Sequence, residues 1–257
     1  MSLVQYQVSE RVAWLTLNRP DKRNALNGAL VEELKVHFRK VEADENVKVV
    51  VLRANGKAFC AGADLETLQQ LQQNTYEENL ADSRSLAELF RIIYQLPKAV
   101  IAQIQGHALA GGCGLAAICD FSFSVPSAKF GYTEVKIGFV PAIVGAFLVR
   151  KIGEGRAREL LLSGEVISAE RAQAYGLINY VVEEYELESR VLELAKQLCT
   201  GASAQSVAAT KQLLAQLPGL GLPESLQLAA QTNAEARSSA DCKRGISAFL
   251  NKEDITW

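Results

Sequence analysis

Residues 99–114 read Ala99-Val100-Ile101-Ala102-Gln103-Ile104-Gln105-Gly106-His107-Ala108-Leu109-Ala110-Gly111-Gly112-Cys113-Gly114. The first six are largely apolar, as in a strand buried inside a sheet. They run into a turn made of small residues, which lets backbone come close to a neighbour or a ligand. A second turn of the same kind, Ala58-Phe59-Cys60-Ala61-Gly62-Ala63-Asp64, follows the apolar run Val49–Leu52. N–H groups free at the start of a helix, aided by its dipole, stabilise negative charge. Two such turns facing each other would clamp an oxygen as it becomes an anion. Both segments also read as tight packing sites, because short glycine motifs are common. The residues alone leave the two readings open.

The flanking chain supplies the fold class. Val12–Leu17 is β-rich and is broken by Asn18-Arg19-Pro20-Asp21. Asn27 caps a predicted helix whose apolar positions Leu30, Leu34, Phe38 and Val41 recur at helical spacing. Residues 66–80, rich in glutamine and glutamate, read as a mobile helix or loop. Phe121, Phe123 and Val125 alternate with serines in a strand ending near Pro126. Beyond Pro141 the pattern turns helical. A helix over 156–162 ends at Gly164, and Ser168 caps the next with Glu170 in its first turn. Helices over 184–199, 203–217 and 223–250 complete the chain. The reading is an α/β protein with a helical tail, divided into 1–200 and 201–257.

Bulk properties exclude several function classes. The net charge is -2 and the basic runs are only scattered pairs, so no basic field calls for nucleic acid. No apolar stretch is long enough to span a bilayer, and the N-terminus has no basic region followed by an apolar core. Cys60, Cys113, Cys119, Cys199 and Cys242 are odd in number and lack metal-ligand spacing. They read as reduced thiols of a cytoplasmic protein. With only His37 and His107 present, a multi-histidine metal site or a Ser-His-Asp triad is poorly supplied, and no metal is expected.

The ordered set Phe59 to Leu65, Gly106 to Asp120, and Phe130-Gly131-Tyr132-Thr133-Glu134 resembles the enoyl-CoA hydratase/isomerase (crotonase) family. Arg19-Pro20 with Asn24-Ala25-Leu26 resembles its early coenzyme A-binding turn. Ser163-Gly164, Ala174-Tyr175-Gly176-Leu177 and Ala248-Phe249 are similar to its later helices, so the resemblance spans nearly the whole chain. It implies a crotonase-like spiral of ββα units with a helical C-terminal trimerisation region, in a homotrimer or homohexamer. It implies an acyl-CoA thioester substrate, whose coenzyme A is part of the substrate, with no separate cofactor. The N–H groups of Ala63 and Gly111 would form the oxyanion hole. Ala25, Ala61, Asp64 and Leu65 would line the coenzyme A groove, and Phe249 and Lys252 would reach its nucleotide end. The ending Asn251 to Trp257 departs from the family's usual basic tail.

Hydratases of this family hold a water between two glutamates. The later position is Glu134 here, the expected catalytic acid/base, while the earlier one is Gly114. A single glutamate suffices to shuttle a proton between carbons. Orienting water needs another group, with Glu154, Tyr132 and Thr133 as candidates. Gly114→Glu is expected to raise hydration if the pocket has room for the carboxylate. Asp120 is expected to cap or anchor backbone, and His107 to be packed and hydrogen-bonded rather than catalytic. Pro141-Ala142-Ile143-Val144-Gly145 carries more side-chain volume than the glycine-rich family pattern, which would reshape the acyl pocket. The leading reading is an enoyl-CoA hydratase-like enzyme acting through a thioester enolate. Its rivals are a Δ3,Δ2-enoyl-CoA isomerase using Glu134 alone, a decarboxylase, and a non-catalytic acyl-CoA- or RNA-associated protein. Leu226, Ala230, Ile246, Phe249 and Leu250 provide apolar helix surface for assembly.

Overall fold

A computed structural model describes residues 2–257, the side chain of Leu65 excepted. The chain opens with a hairpin, β1 (Val4–Ser9) and β2 (Val12–Leu17), followed by helix α1 (Gly28–Ala43). The Asn27 side chain caps α1 by accepting from Leu30 N–H, and Leu30, Leu34, Phe38 and Val41 are buried as their spacing predicts. Next come β3 (Val49–Ala54), β4 (Ala58–Cys60), α2 (Leu65–Leu71) and α3 (Tyr76–Gln95). A third unit is β5 (Ala99–Ile104), β6 (His107–Leu109) and α4 (Gly111–Ile118). A fourth is β7 (Phe121–Ser124), β8 (Lys129–Gly131) and α5 (Ala142–Ser163).

The spiral follows from which strand goes where. One sheet has the order β1-β2-β3-β5-β7 and ends in β10 (Tyr180–Val181). The other runs β4-β6-β8 and ends in β9 (Val166–Ser168). Each of the later units therefore places one strand in each sheet before its helices. β3, β5 and β7 pair in parallel, as do β4, β6 and β8. Val49 to Leu52 is buried on both faces, which explains its uninterrupted apolar run. This is a crotonase-like α/β fold.

The remaining helices are α6 (Ala169–Ala174), α7 (Leu187–Gly201), α8 (Ala204–Gln216), α9 (Leu222–Ser238) and α10 (Ala240–Asn251). Ser168 caps α6 as expected. Lys211 ties α8 to the core by donating to Asp120 Oδ2 at 2.6 Å. Asp120 also accepts from Val100 N–H at 2.7 Å, so it anchors backbone as expected.

Two expectations gain detail and one needs correction. Residues 66–80 are most of α2 and the start of α3. Thr75 and Glu78 form a reciprocal capping box, and the far half of α3 buries Leu89, Phe90, Ile92 and Ile93. The helix expected over 156–162 is present as the second of two helical segments within α5, which are separated at Gly153, non-helical at φ 77° and ψ 161°, and it ends at Gly164 as expected. The single helix expected over 223–250 is two helices. Ser239 is extended at ψ 153°, and its side chain caps α10 by accepting from Cys242 N–H.

Candidate active site

β4 and β6 are parallel neighbours, so their C-terminal ends lie side by side and the turns that follow them meet. Glycine permits the approach. Gly62 has φ 94°, and a Cβ there would sit 2.8 Å from the Cβ of Ala110 and 3.0 Å from the Leu109 oxygen. Gly112 lies so close to Cys60 that a side chain would overlap its carbonyl. Ala110 itself has φ 48° and ψ -126°, a strained conformation for a residue with a Cβ. Such strain costs about 1–3 kcal/mol and persists where surrounding structure enforces it.

Hydrogen bonds lock the pair. Leu26 N–H donates to Gly62 O at 2.7 Å, and Asp64 N–H donates to Leu26 O at 2.9 Å. Ala110 N–H donates to Gly131 O at 2.7 Å. Between these anchored groups, the N–H of Ala63 and that of Gly111 have no acceptor among the described residues. Gly111 begins α4, where the first N–H groups lack helical partners. Both residues line one cavity of about 290 Å³.

Glu134 lines the same cavity. It follows β8 and opens a single 3-10 turn, Glu134–Ile137. Its Oε2 is buried without a hydrogen-bond partner among the described residues. Burial raises its pKa above the usual carboxylate value. Leu26, Val31, Leu68, Leu86, Ile143 and Val144 supply apolar wall. The arrangement places two free N–H donors and one acid/base around an apolar volume.

The other expected residues divide. Ala61 lines the cavity, while Ala25 is buried outside its lining. Asp64 is also buried outside the lining, and its carboxylate is already engaged. It accepts from Arg19 at 2.9 Å and caps α2 by accepting from Glu66 N–H at 2.9 Å. Burial alone would raise its pKa, but the Arg19 hydrogen bond and the backbone N–H groups hold it below the ordinary range. Asp64 thus braces the first glycine turn against the Arg19–Leu26 segment. The side chain of Leu65 lies outside the described residues. Phe249 and Lys252 lie at the end of α10, away from this chain's cavity, with Phe249 82% exposed.

Among the candidates for a second polar group, Thr133 lines the cavity and Tyr132 does not. Tyr132 is fully buried against Cys113, a thiol that burial pushes up to about 12. Glu154 is excluded, because it is exposed on α5 and paired with Arg158. His107 is hydrogen-bonded as expected, its Nδ1 accepting from Lys129 N–H at 3.2 Å, but it is exposed rather than packed. Gly114 is buried in α4, and the condition of room for a carboxylate there is not met. An added Cβ would overlap Val144 Cγ1 and lie 3.0 Å from Phe90 Cε1. Sequence reasoning missed the wall from α2 and α3, which includes Leu71, Asp82, Ser83 and Leu86. The Thr75…Glu78 capping box was the signal that a helix begins there. A larger groove of about 690 Å³ between α4, α5 and α8 contains neither glycine turn.

Residues 7–257 match the family model described as enoyl-CoA hydratase/isomerase. The chain belongs to this family. A Thermus thermophilus relative, provisionally named an enoyl-CoA hydratase, is 43% identical over 241 residues, covering 94% of this chain and 95% of the relative. The crotonyl-CoA hydratase of Syntrophomonas wolfei is 34% identical, covering 96% of this chain and 95% of its own. A crystal structure of an enoyl-CoA hydratase from Mycobacterium smegmatis superimposes with a TM-score of 0.94 at 32% identity, covering 100% of this chain and 99% of that one. As an enoyl-CoA hydratase/isomerase, the protein is an enzyme of acyl-CoA chemistry. Gly114, a position the family resemblance singles out, packs directly against Val144 and Phe90.

Proposed function

We propose that the protein is an enoyl-CoA hydratase-like enzyme that acts through a thioester enolate. The carrying observation is that the N–H groups of Ala63 and Gly111, unpaired among the described residues, share a cavity with Glu134, whose Oε2 is buried without a partner among them. The thioester oxygen accepts from the two N–H groups, which strengthen their hold as it gains negative charge. Losing one such donor typically costs about 3–4 kcal/mol of transition-state stabilisation. Glu134 exchanges a proton with a carbon near the thioester, and its raised pKa suits transfer near neutral pH. In hydration, a water loses a proton, its oxygen bonds to C3, and C2 gains a proton. Relatives named as enoyl-CoA and crotonyl-CoA hydratases support this outcome.

A second reading is supported by the filled space at Gly114. A single carboxylate takes a proton from C2 of a 3-enoyl-CoA and returns one to C4, which moves the double bond without water. Turnover of crotonyl-CoA and a 3-enoyl-CoA, measured side by side, separates the two. Calorimetry tests what they share: acetoacetyl-CoA is expected to bind and free acetoacetate is not. No heat with millimolar acetoacetyl-CoA would overturn both. We further propose a trimeric or hexameric assembly, supported by exposed apolar residues on α9 and α10. Leu226 is 61%, Ile246 52% and Leu250 72% exposed in the isolated chain.

A further inference from the structure

We infer that Val144 is a reaction-determining residue: by filling the space in front of Gly114, it keeps a second acid/base out of the cavity. The inference rests on the acyl-CoA reading above and concerns the division between water addition and carbon-to-carbon proton transfer.

Val144 stands in the first turn of α5 and is 5% exposed. One side of it borders the cavity that holds Glu134. Its other side closes on α4, where Cγ1 occupies the position a Cβ of residue 114 would need and Cβ lies 3.1 Å from that position. Phe90 of α3 closes the remaining side, itself fully buried and in contact with the Phe147 ring at 5.8 Å between centroids. Three helices meet at this point, so the backbone has little freedom to yield. A side chain starting at position 114 would run into Val144, which itself borders the cavity that Glu134 lines. Val144 therefore decides whether that side chain can exist. With it in place, the junction between α4 and the cavity is apolar, and Glu134 has no carboxylate opposite it on α4.

The chemical consequence concerns proton bookkeeping. Water addition needs one group to take a proton from water while C2 receives one. Moving a double bond needs only one group that accepts a proton at one carbon and releases one at another. An apolar plug at 114–144 leaves both reactions to the one carboxylate of Glu134: in water addition it must itself take the proton from water and return one to C2, a task a second acid/base would share.

A thermal-denaturation cycle and a product assay test this together, using Gly114→Ala, Gly114→Glu, Val144→Gly and the two double variants. Gly114→Ala should lower Tm by roughly 5 °C, because added volume has nowhere to go. In the Val144→Gly background the same change should raise Tm, since alanine favours a helix over glycine. Equal effects of Gly114→Ala in both backgrounds would overturn the packing claim. Gly114→Glu/Val144→Gly should add water to crotonyl-CoA with at least about tenfold higher kcat/KM than Val144→Gly, as a second acid/base would give. Its ratio of hydration to isomerisation should also rise. A folded double variant that binds acetoacetyl-CoA but shows no such gain overturns the chemical claim. A double variant with glutamate that fails to fold overturns it too, because the vacated space then does not admit a carboxylate. Absence of acetoacetyl-CoA binding by the parent enzyme would instead count against the acyl-CoA reading itself.

Discussion

Replacing Glu134 by glutamine keeps the size of the side chain and removes its basicity. Loss of a general acid/base typically costs 10²–10⁴-fold in rate, about 3–5 kcal/mol. Glu134→Gln should therefore lose that much kcat on the substrate the enzyme accepts. Acetoacetyl-CoA should still bind, because Ala63 and Gly111 act through backbone. Stability should move the other way. Burial raises the folded-state pKa of Glu134, so the stabilising contribution of its protonated form is present at low pH and is lost as pH rises through that pKa. Where the parent's carboxyl group is ionised, its charge sits on a group whose Oε2 is buried without a hydrogen-bond partner among the described residues. Glutamine carries no charge there. Each unit by which the folded pKa exceeds the unfolded one corresponds to at most about 1.4 kcal/mol, or roughly 3–6 °C in Tm for a chain of this size, and solvent screening at this part-exposed group reduces it. Differential scanning fluorimetry should show Glu134→Gln melting above the parent at pH 7.5, with the difference vanishing near about pH 4. The parent's kcat/KM should rise with pH through the same ionisation if Glu134 acts as a base. Wild-type turnover in Glu134→Gln on every accepted substrate would refute the catalytic role. A variant that melts lower at neutral pH and no lower in acid would refute the account of its environment.

Other consequences follow from the same geometry. Gly62→Ala forces a Cβ against Ala110 at a φ of 94° and should destabilise by about 1–3 kcal/mol in urea titration, with activity falling as the two turns separate. Asp64→Ala leaves the part-buried Arg19 guanidinium with Ala25 O as its remaining acceptor and removes the α2 cap, and should cost about 1–3 kcal/mol; unchanged stability would show that the pair does not brace the turn. Light scattering at micromolar concentration should give a trimer or hexamer, and Leu226→Glu with Leu250→Glu should shift it toward monomer. A monomeric parent would remove α9 and α10 as the assembly surface.

Much of the fold was legible from residue pattern alone. Val49–Leu52 and Ala99–Ile104 declare buried strands by uninterrupted apolar runs, and Leu30, Leu34, Phe38 and Val41 declare a helix face. These signals are local: the period of the backbone is written directly into side-chain spacing. The glycine turns were legible as sites of close approach, and Glu134 could be located through the order of motifs around it. Which partner each glycine approaches was not legible. Gly62 meets Ala110 and Gly112 meets Cys60 only because β4 and β6 pair in parallel across a long sequence separation. Asp64 shows the same limit, since its role as a brace depends on Arg19, distant in the chain and adjacent in space. Glu154 looked available in sequence, yet α5 turns it toward solvent and Arg158. Gly114 and Val144 are the sharpest case. The sequence by itself determined that a glycine stands at 114, where the family resemblance implies a glutamate, and that a valine stands thirty residues later. Only the tertiary structure decided that these are one fact, because the packing of α4 on α5 puts the added methyl where the missing side chain would begin.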